Sequence, residues 1–149
     1  MQTPDATRPV TVPAALGWRL LALVYDLLPM IPLLLIISAA MVWLRGGRTV
    51  EHAPAWAWLQ FALFWLAVGG YFVTSWRRGG QTMGMRPWRL QVLATDGKPA
   101  SWRALCLRYL VASLTPGLCL LWSLLDSERR GLHDLAAGTL LVRRQPAAQ

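Results

Sequence analysis

Charge is scarce in this chain. Asp, Glu, Lys and Arg make up 15% of its 149 residues, against about 25% in soluble domains, which leaves little polar surface to clothe a water-soluble globule. Cysteine is scarce too. Cys106 and Cys119 are the two present, and both sit in an apolar stretch without CxxC or histidine spacing. They read as small hydrophobes and give no support to metal or redox chemistry. Gly79-Gly80-Gln81-Thr82-Met83-Gly84 is glycine-rich, but it lacks the Lys-Ser/Thr ending of a phosphate loop, which excludes nucleotide binding of that kind. No Ser or Cys nucleophile has a recognisable setting, so the expectation is no enzyme, no cofactor and no metal. No internal repeat is visible, and the length suits one domain.

What the chain has instead is grease. Hydrophobic residues make up 55% and collect in three blocks, 16–44, 55–75 and 105–125. A bilayer core about 30 Å thick needs roughly 20 apolar residues at 1.5 Å each, and the second and third blocks are 21 residues long. Lipid admits only helices and closed barrels, because no water is there to satisfy the backbone. These runs do not alternate as barrel strands do. The predicted fold is therefore an all-α integral membrane protein with two long transmembrane helices and a third hydrophobic segment. Seven of the nine tryptophans agree with this: Trp18, Trp43, Trp56, Trp58, Trp76, Trp102 and Trp122 lie at block ends, at headgroup level, while Trp65 sits mid-block and Trp88 in a loop. A secretory signal would have an apolar region of about 7–15 residues. The first block is far longer and carries Asp26, although Ser38-Ala39-Ala40 loosely resembles a cleavage site.

Residues 1–13 hold three prolines and read as a disordered tail, 14–144 as one membrane domain and 145–149 as a second tail. The polar connection 77–103 is too long to be featureless. Within it, 88–95 reads as a short strand or amphipathic piece, Asp96-Gly97-Lys98-Pro99 as a turn, and Ser101 as a helix cap.

The net charge of +8 fits basic loops at a membrane better than nucleic acid. Thirteen Lys and Arg remain after Arg19 and Arg108 are set aside within the apolar blocks. If the third block spans, they split seven to six between the two sides. If it re-enters, breaking at Thr115-Pro116-Gly117, they split eleven to two. Both readings stay open here. Each puts the N-terminus and the 77–103 loop in the cytoplasm of a multi-pass protein of the cell membrane (the bacterial inner membrane).

Ionisable residues inside a span are expensive and need a reason. Arg19 and Asp26 lie two turns apart on one helix face, roughly 10 Å along the axis. Arg19 can snorkel to the headgroups, while Asp26 lies too deep. Pro29 and Pro32 free the carbonyls of Tyr25 and Leu28, so Asp26 could offer hard oxygen ligands to a monovalent cation or a proton. A structural salt bridge from Asp26 to Arg19 or Arg108 is the other reading. Arg108 is otherwise an interfacial snorkeller, and Asp126 an end residue paired with Arg129 or Arg130. His133-Asp134 is too little for catalysis and reads as loop structure.

Together these residues resemble the RDD family of small membrane proteins, named for one arginine and two aspartates. Arg19 and Asp26 match its first helix. Gly80-Gln81-Thr82-Met83-Gly84 and Asp96-Gly97-Lys98-Pro99 match its loop, and 129–139 its closing motif, with Asp134 as second aspartate. The match covers about residues 14–144. Met85 departs from it, standing where the family commonly carries lysine. The resemblance implies a membrane domain, with transport suggested and cation/proton exchange linked to some members. Two or three helices cannot enclose a pathway alone, so transport predicts a homo-oligomer or larger membrane complex. The alternative is a non-transporting interaction and assembly module in which Arg19, Asp26 and Asp134 are structural.

Overall fold

The computed structural model describes residues 11–49, 54–115, 117–126 and 130–144. Residues 1–10 of the expected tail 1–13, the expected tail 145–149, and with them Pro116 and Arg129, lie outside the described residues. Eight elements follow in order: β1 (Thr11–Pro13), α1 (Leu16–Leu44), α2 (Pro54–Gly79), β2 (Leu90–Ala94), α3 (Trp102–Leu114), α4 (Leu118–Leu125), α5 (Leu132–Ala137) and β3 (Thr139–Arg144).

Helices α1 and α2 contain 29 and 26 residues, about 44 and 39 Å of rise, long and apolar enough to cross a bilayer. Their packing is inverted relative to a soluble bundle. Arg19, Ala22, Asp26 and Met30 of α1 are buried, at the three- and four-residue spacing of one helix face. The largest apolar side chains face outward instead, Leu28 69%, Leu35 63% and Ile36 67% exposed. An outward apolar surface of this extent is stable against lipid and unstable against water.

The expectation of an all-α chain needs correction. A three-stranded antiparallel sheet in the order β1-β3-β2 closes one end of the molecule. Thr11 pairs with Arg144, and Leu90 with Arg143. Thr11–Pro13, expected as the end of a disordered tail, is an edge strand, a place where proline is tolerated because it has no N–H to donate. The apolar run at 140–142 is long enough to pair on both sides and becomes the central strand. Strand β2 falls within the expected 88–95. The turn after it forms as expected, with Lys98 N–H donating to Asp96 Oδ1 at 3.0 Å. Ser101 caps α3 by accepting from Ala104 N–H at 3.3 Å. Between sheet and helices lies the core of Leu90, Val92, Leu105, Leu141, Val73 and Met85.

The third apolar block divides into α3 and α4 around Gly117, whose φ of +86° suits glycine. Helix α3 leaves the sheet end and lies along α2, where Tyr109 Oη donates to the Trp65 carbonyl at 2.7 Å. Helix α4 returns; α5 packs on α3, and β3 joins the sheet between β1 and β2. Both ends of block 105–125 therefore lie at the sheet end, the fold-back that the re-entrant reading requires. At about 20 and 12 Å, neither half-helix alone matches a bilayer core.

This topology predicts labelling. In a cysteine-free background, Arg144→Cys and Lys98→Cys should react with an impermeant maleimide from one side of sealed vesicles, and Arg48→Cys from the other. If Arg144→Cys instead reacted together with Arg48→Cys, the fold-back of the third block would be wrong.

Candidate functional site

Two buried carboxylates organise the interior, and they are separate clusters. Asp134, fully buried in the first turn of α5, accepts from Arg19 Nη1 at 2.7 Å and from Gly131 N–H at 2.9 Å. Its other oxygen accepts from Arg108 Nη1. Arg19 also donates from Nε to the Ala14 carbonyl at 3.1 Å, and Arg108 to Thr139 Oγ1 at 2.6 Å. The Arg108 guanidinium stacks 5.1 Å from the Trp76 ring centroid. One carboxylate thus ties α1, α3 and α5 together and, through Arg108, the start of β3. Two guanidinium donors and a backbone N–H are strong, charge-assisted partners.

Asp26, 1% exposed on α1, takes a different set. Tyr71 Oη donates to Oδ1 at 2.8 Å, Gly84 N–H to Oδ1 at 2.9 Å, and Thr82 Oγ1 to Oδ2 at 2.6 Å. Thr82 Oγ1 in turn accepts from Met85 N–H at 3.3 Å. The loop after α2 is thereby clamped onto α1. Gly84 lies so close that a Cβ would run into the Ala22 carbonyl oxygen and sit 2.8 Å from the Asp26 carboxyl carbon. The expected bridge from Asp26 to Arg19 or Arg108 is replaced: among the described residues Asp26 has hydroxyl and amide donors, and both arginines bind Asp134.

The remaining candidates fall into place around these. Asp126 pairs with Arg130, accepting from its backbone N–H at 2.8 Å and from Nε at 3.3 Å, a surface contact worth little. His133 is buried, its Nε2 3.7 Å from Asp134 Oδ2. Burial, then the Arg108 guanidinium, pushes its pKa down to about 4. At Asp134 burial raises the pKa, but the Arg108 and Arg19 guanidinium groups outweigh it and hold the carboxyl well below the usual carboxylate range. Tyr71, Thr82 and Thr139 are the functional residues that composition missed. A signal existed: a Thr bracketed by glycines in the loop, and a Tyr hydroxyl inside an apolar helix that needs a partner.

Helices α1, α2 and α3 enclose a cleft of about 370 Å³. Arg19, Asp26, Arg108 and His133 lie on its wall, and the rest is mostly apolar. Met85 lies on that wall as a buried apolar side chain. Among the described residues no group of three His, Cys, Asp or Glu could hold a metal ion.

Two long apolar helices with outward-facing leucines and a polar interior define a membrane-type helical protein. A family model, RDD family, matches residues 13–138, and the chain belongs to that family. No curated protein and no solved structure matches it.

Three measurements test the clamps by thermal unfolding in detergent. Asp134→Asn removes the partner of two buried arginines and should cost about 3–5 kcal/mol. Gly84→Ala, by forcing the loop off α1, should cost about 1–3 kcal/mol. Wild-type stability at or below that of either variant would refute the assignment. The folded-state pKa of His133 lies below its ordinary 6.5, so the unfolded chain binds the proton first. Stability is full above about pH 6.5 and should fall by up to about 3 kcal/mol as the pH drops toward 4. The depressed Asp134 begins to lose its contribution only at still lower pH. His133→Gln should flatten the 4–6.5 slope, and an unchanged slope would remove His133 as its source.

Proposed function

We propose that this protein is a multi-pass component of the cell membrane that acts as an interaction and assembly module, not as a carrier of ions. The observation that carries this reading is the occupancy of its two buried acids. Asp26 and Asp134 are covered by donors from their own chain, and those donors come from elements far apart in sequence. Such clamps specify one arrangement of helices at a cost in desolvation. The result is a rigid two-helix anchor with a sheet platform at one end. The apolar flank of α1 is open to a second membrane helix, either another copy or a different protein.

Orientation follows from charge. With the third block folded back, and with Arg19 and Arg108 set aside, nine of the described Lys and Arg (77, 78, 86, 89, 98, 103, 130, 143 and 144) fall toward the sheet end, and among the described residues Arg45 and Arg48 fall at the other. Positive residues are retained on the cytoplasmic side, so the N-terminus, the 77–103 connection and the sheet face the cytoplasm.

One observation favours a second reading, monovalent cation/proton exchange. Asp26 is on the cleft wall with the hydroxyl oxygens of Tyr71 and Thr82 beside it, oxygen ligands of the kind a hard cation takes. Purified protein in liposomes, given a Na⁺ or K⁺ gradient and an internal pH dye, separates the two. The assembly reading expects no pH-dependent flux above empty vesicles. It also expects Asp26→Asn to lower the melting temperature and the recovery of any co-purified membrane protein. A cation-driven proton flux that Asp26→Asn abolishes would replace assembly with exchange.

A further inference from the structure

Three buried nitrogen atoms among the described residues lack any hydrogen-bond partner while belonging to residues on one cleft: Trp76 Nε1, Arg108 Nε and His133 Nδ1. Their side chains are nine-tenths or more buried, at 8%, 2% and 8% exposure. Buried polar groups are nearly always paired, so each such orphan calls for an explanation. Three on residues that line one cleft call for one explanation in common. Trp Nε1–H and Arg Nε–H are donors that cannot accept, and neutral His Nδ1 can carry the proton. The missing partner is an acceptor, and beside a guanidinium the strongest acceptor is an oxyanion.

The rest of the cleft says what the acceptor is attached to. From Trp76 the wall follows α2 inward to Val68, eight residues or about 12 Å, with Leu23, Phe72 and Ala112 beside it. This part offers an acceptor nothing and a hydrocarbon chain everything. Asp26 is on the wall as well, but its oxygens are taken up by Tyr71, Thr82 and Gly84, and Arg19 is engaged with Asp134. The donor end lies at the sheet end, where Leu141 of β3 joins the lining. Basic pockets between transmembrane helices on the cytoplasmic side accept anionic lipid headgroups.

We propose that the cleft between α1, α2 and α3 binds one anionic phospholipid from the surrounding bilayer, its phosphate oxygens meeting Trp76, Arg108 and His133 and an acyl chain running toward Val68. This rests on the membrane placement proposed above. Lipid enters between α1 and α3, and the occupied cleft stiffens the packing of the helices around it.

The test uses the full chain purified in a neutral maltoside detergent. Dioleoyl-phosphatidylglycerol, dioleoyl-phosphatidylcholine or oleate is added, with melting temperature and native mass spectrometry as readouts. Phosphatidylglycerol should raise the melting temperature by several degrees and be retained with about tenfold preference over phosphatidylcholine, while oleate should not substitute for it. Ala112→Trp, which fills the apolar part, should abolish both effects. Trp76→Phe, which removes one donor and keeps the ring, should weaken retention several-fold and covers the case in which the filled variant does not fold. Equal retention of both phospholipids, full substitution by oleate, or undiminished preference in both variants would overturn the proposal. A chain that stays monodisperse in plain buffer would instead overturn the membrane placement, so the two failures are distinguishable.

Discussion

The carboxylate of Asp134 is the point through which the fold is tied. Arg19 arrives from the first helix, Arg108 from the third and Gly131 N–H from the residue before α5, and none of these elements is adjacent to another along the chain. Removing one charge from such a set leaves the others buried without compensation, which is far costlier than never having buried them. The sheet depends on it in turn. Arg108 holds Thr139, the first residue of β3, and β3 is the central strand on which β1 and β2 pair. The order of the platform at one end of the molecule is thus coupled to a charge cluster at the base of its helices.

Asp26 does a parallel task for a different piece of chain. Its three donors bring the end of α2 and the loop after it against α1, and the absence of a Cβ at Gly84 is what lets the loop backbone approach. The two acids therefore divide the work: one joins helices by charge, the other docks a loop by neutral donors. In a low-dielectric interior both devices are strong when every lone pair is used and costly when one is not. That asymmetry penalises any helix arrangement in which either acid loses a donor. Beside these clusters, Trp76, Arg108 and His133 on the cleft each carry a buried nitrogen that has no partner among the described residues.

Much of the architecture was legible in the residues. Block 16–44 became α1 with the same two ends, and block 55–75 became α2, which starts one residue earlier and runs four residues further. The strand in 88–95, the turn at 96–99 and the Ser101 cap formed where local chemistry placed them. The sheet as a whole was not legible, because β1 has three residues and owes its existence to a partner more than a hundred positions away. The candidate site was half legible. Arg19, Asp26, Arg108, His133 and Asp134 were all picked out as candidates and Asp26 as the one that must be satisfied, but the arginines read as snorkellers or as partners of Asp26 belong to Asp134, which read as loop structure.

The sequence by itself determined that two stretches are helices long and apolar enough to cross a bilayer and that any acid among them must be satisfied. Those conclusions follow from local quantities: the length of an apolar run, the thickness of a bilayer and the cost of a bare backbone or charge in hydrocarbon. Only the tertiary structure decided which donor meets which acid and that the third block turns back. Arginine is chemically indifferent between two carboxylates, so the choice rests on geometry assembled from residues 115 positions apart for Arg19 and Asp134, and 58 apart for Asp26 and Gly84. The direction of the third block likewise rests on β3 finding its place between β1 and β2, a contact that no hydropathy pattern contains.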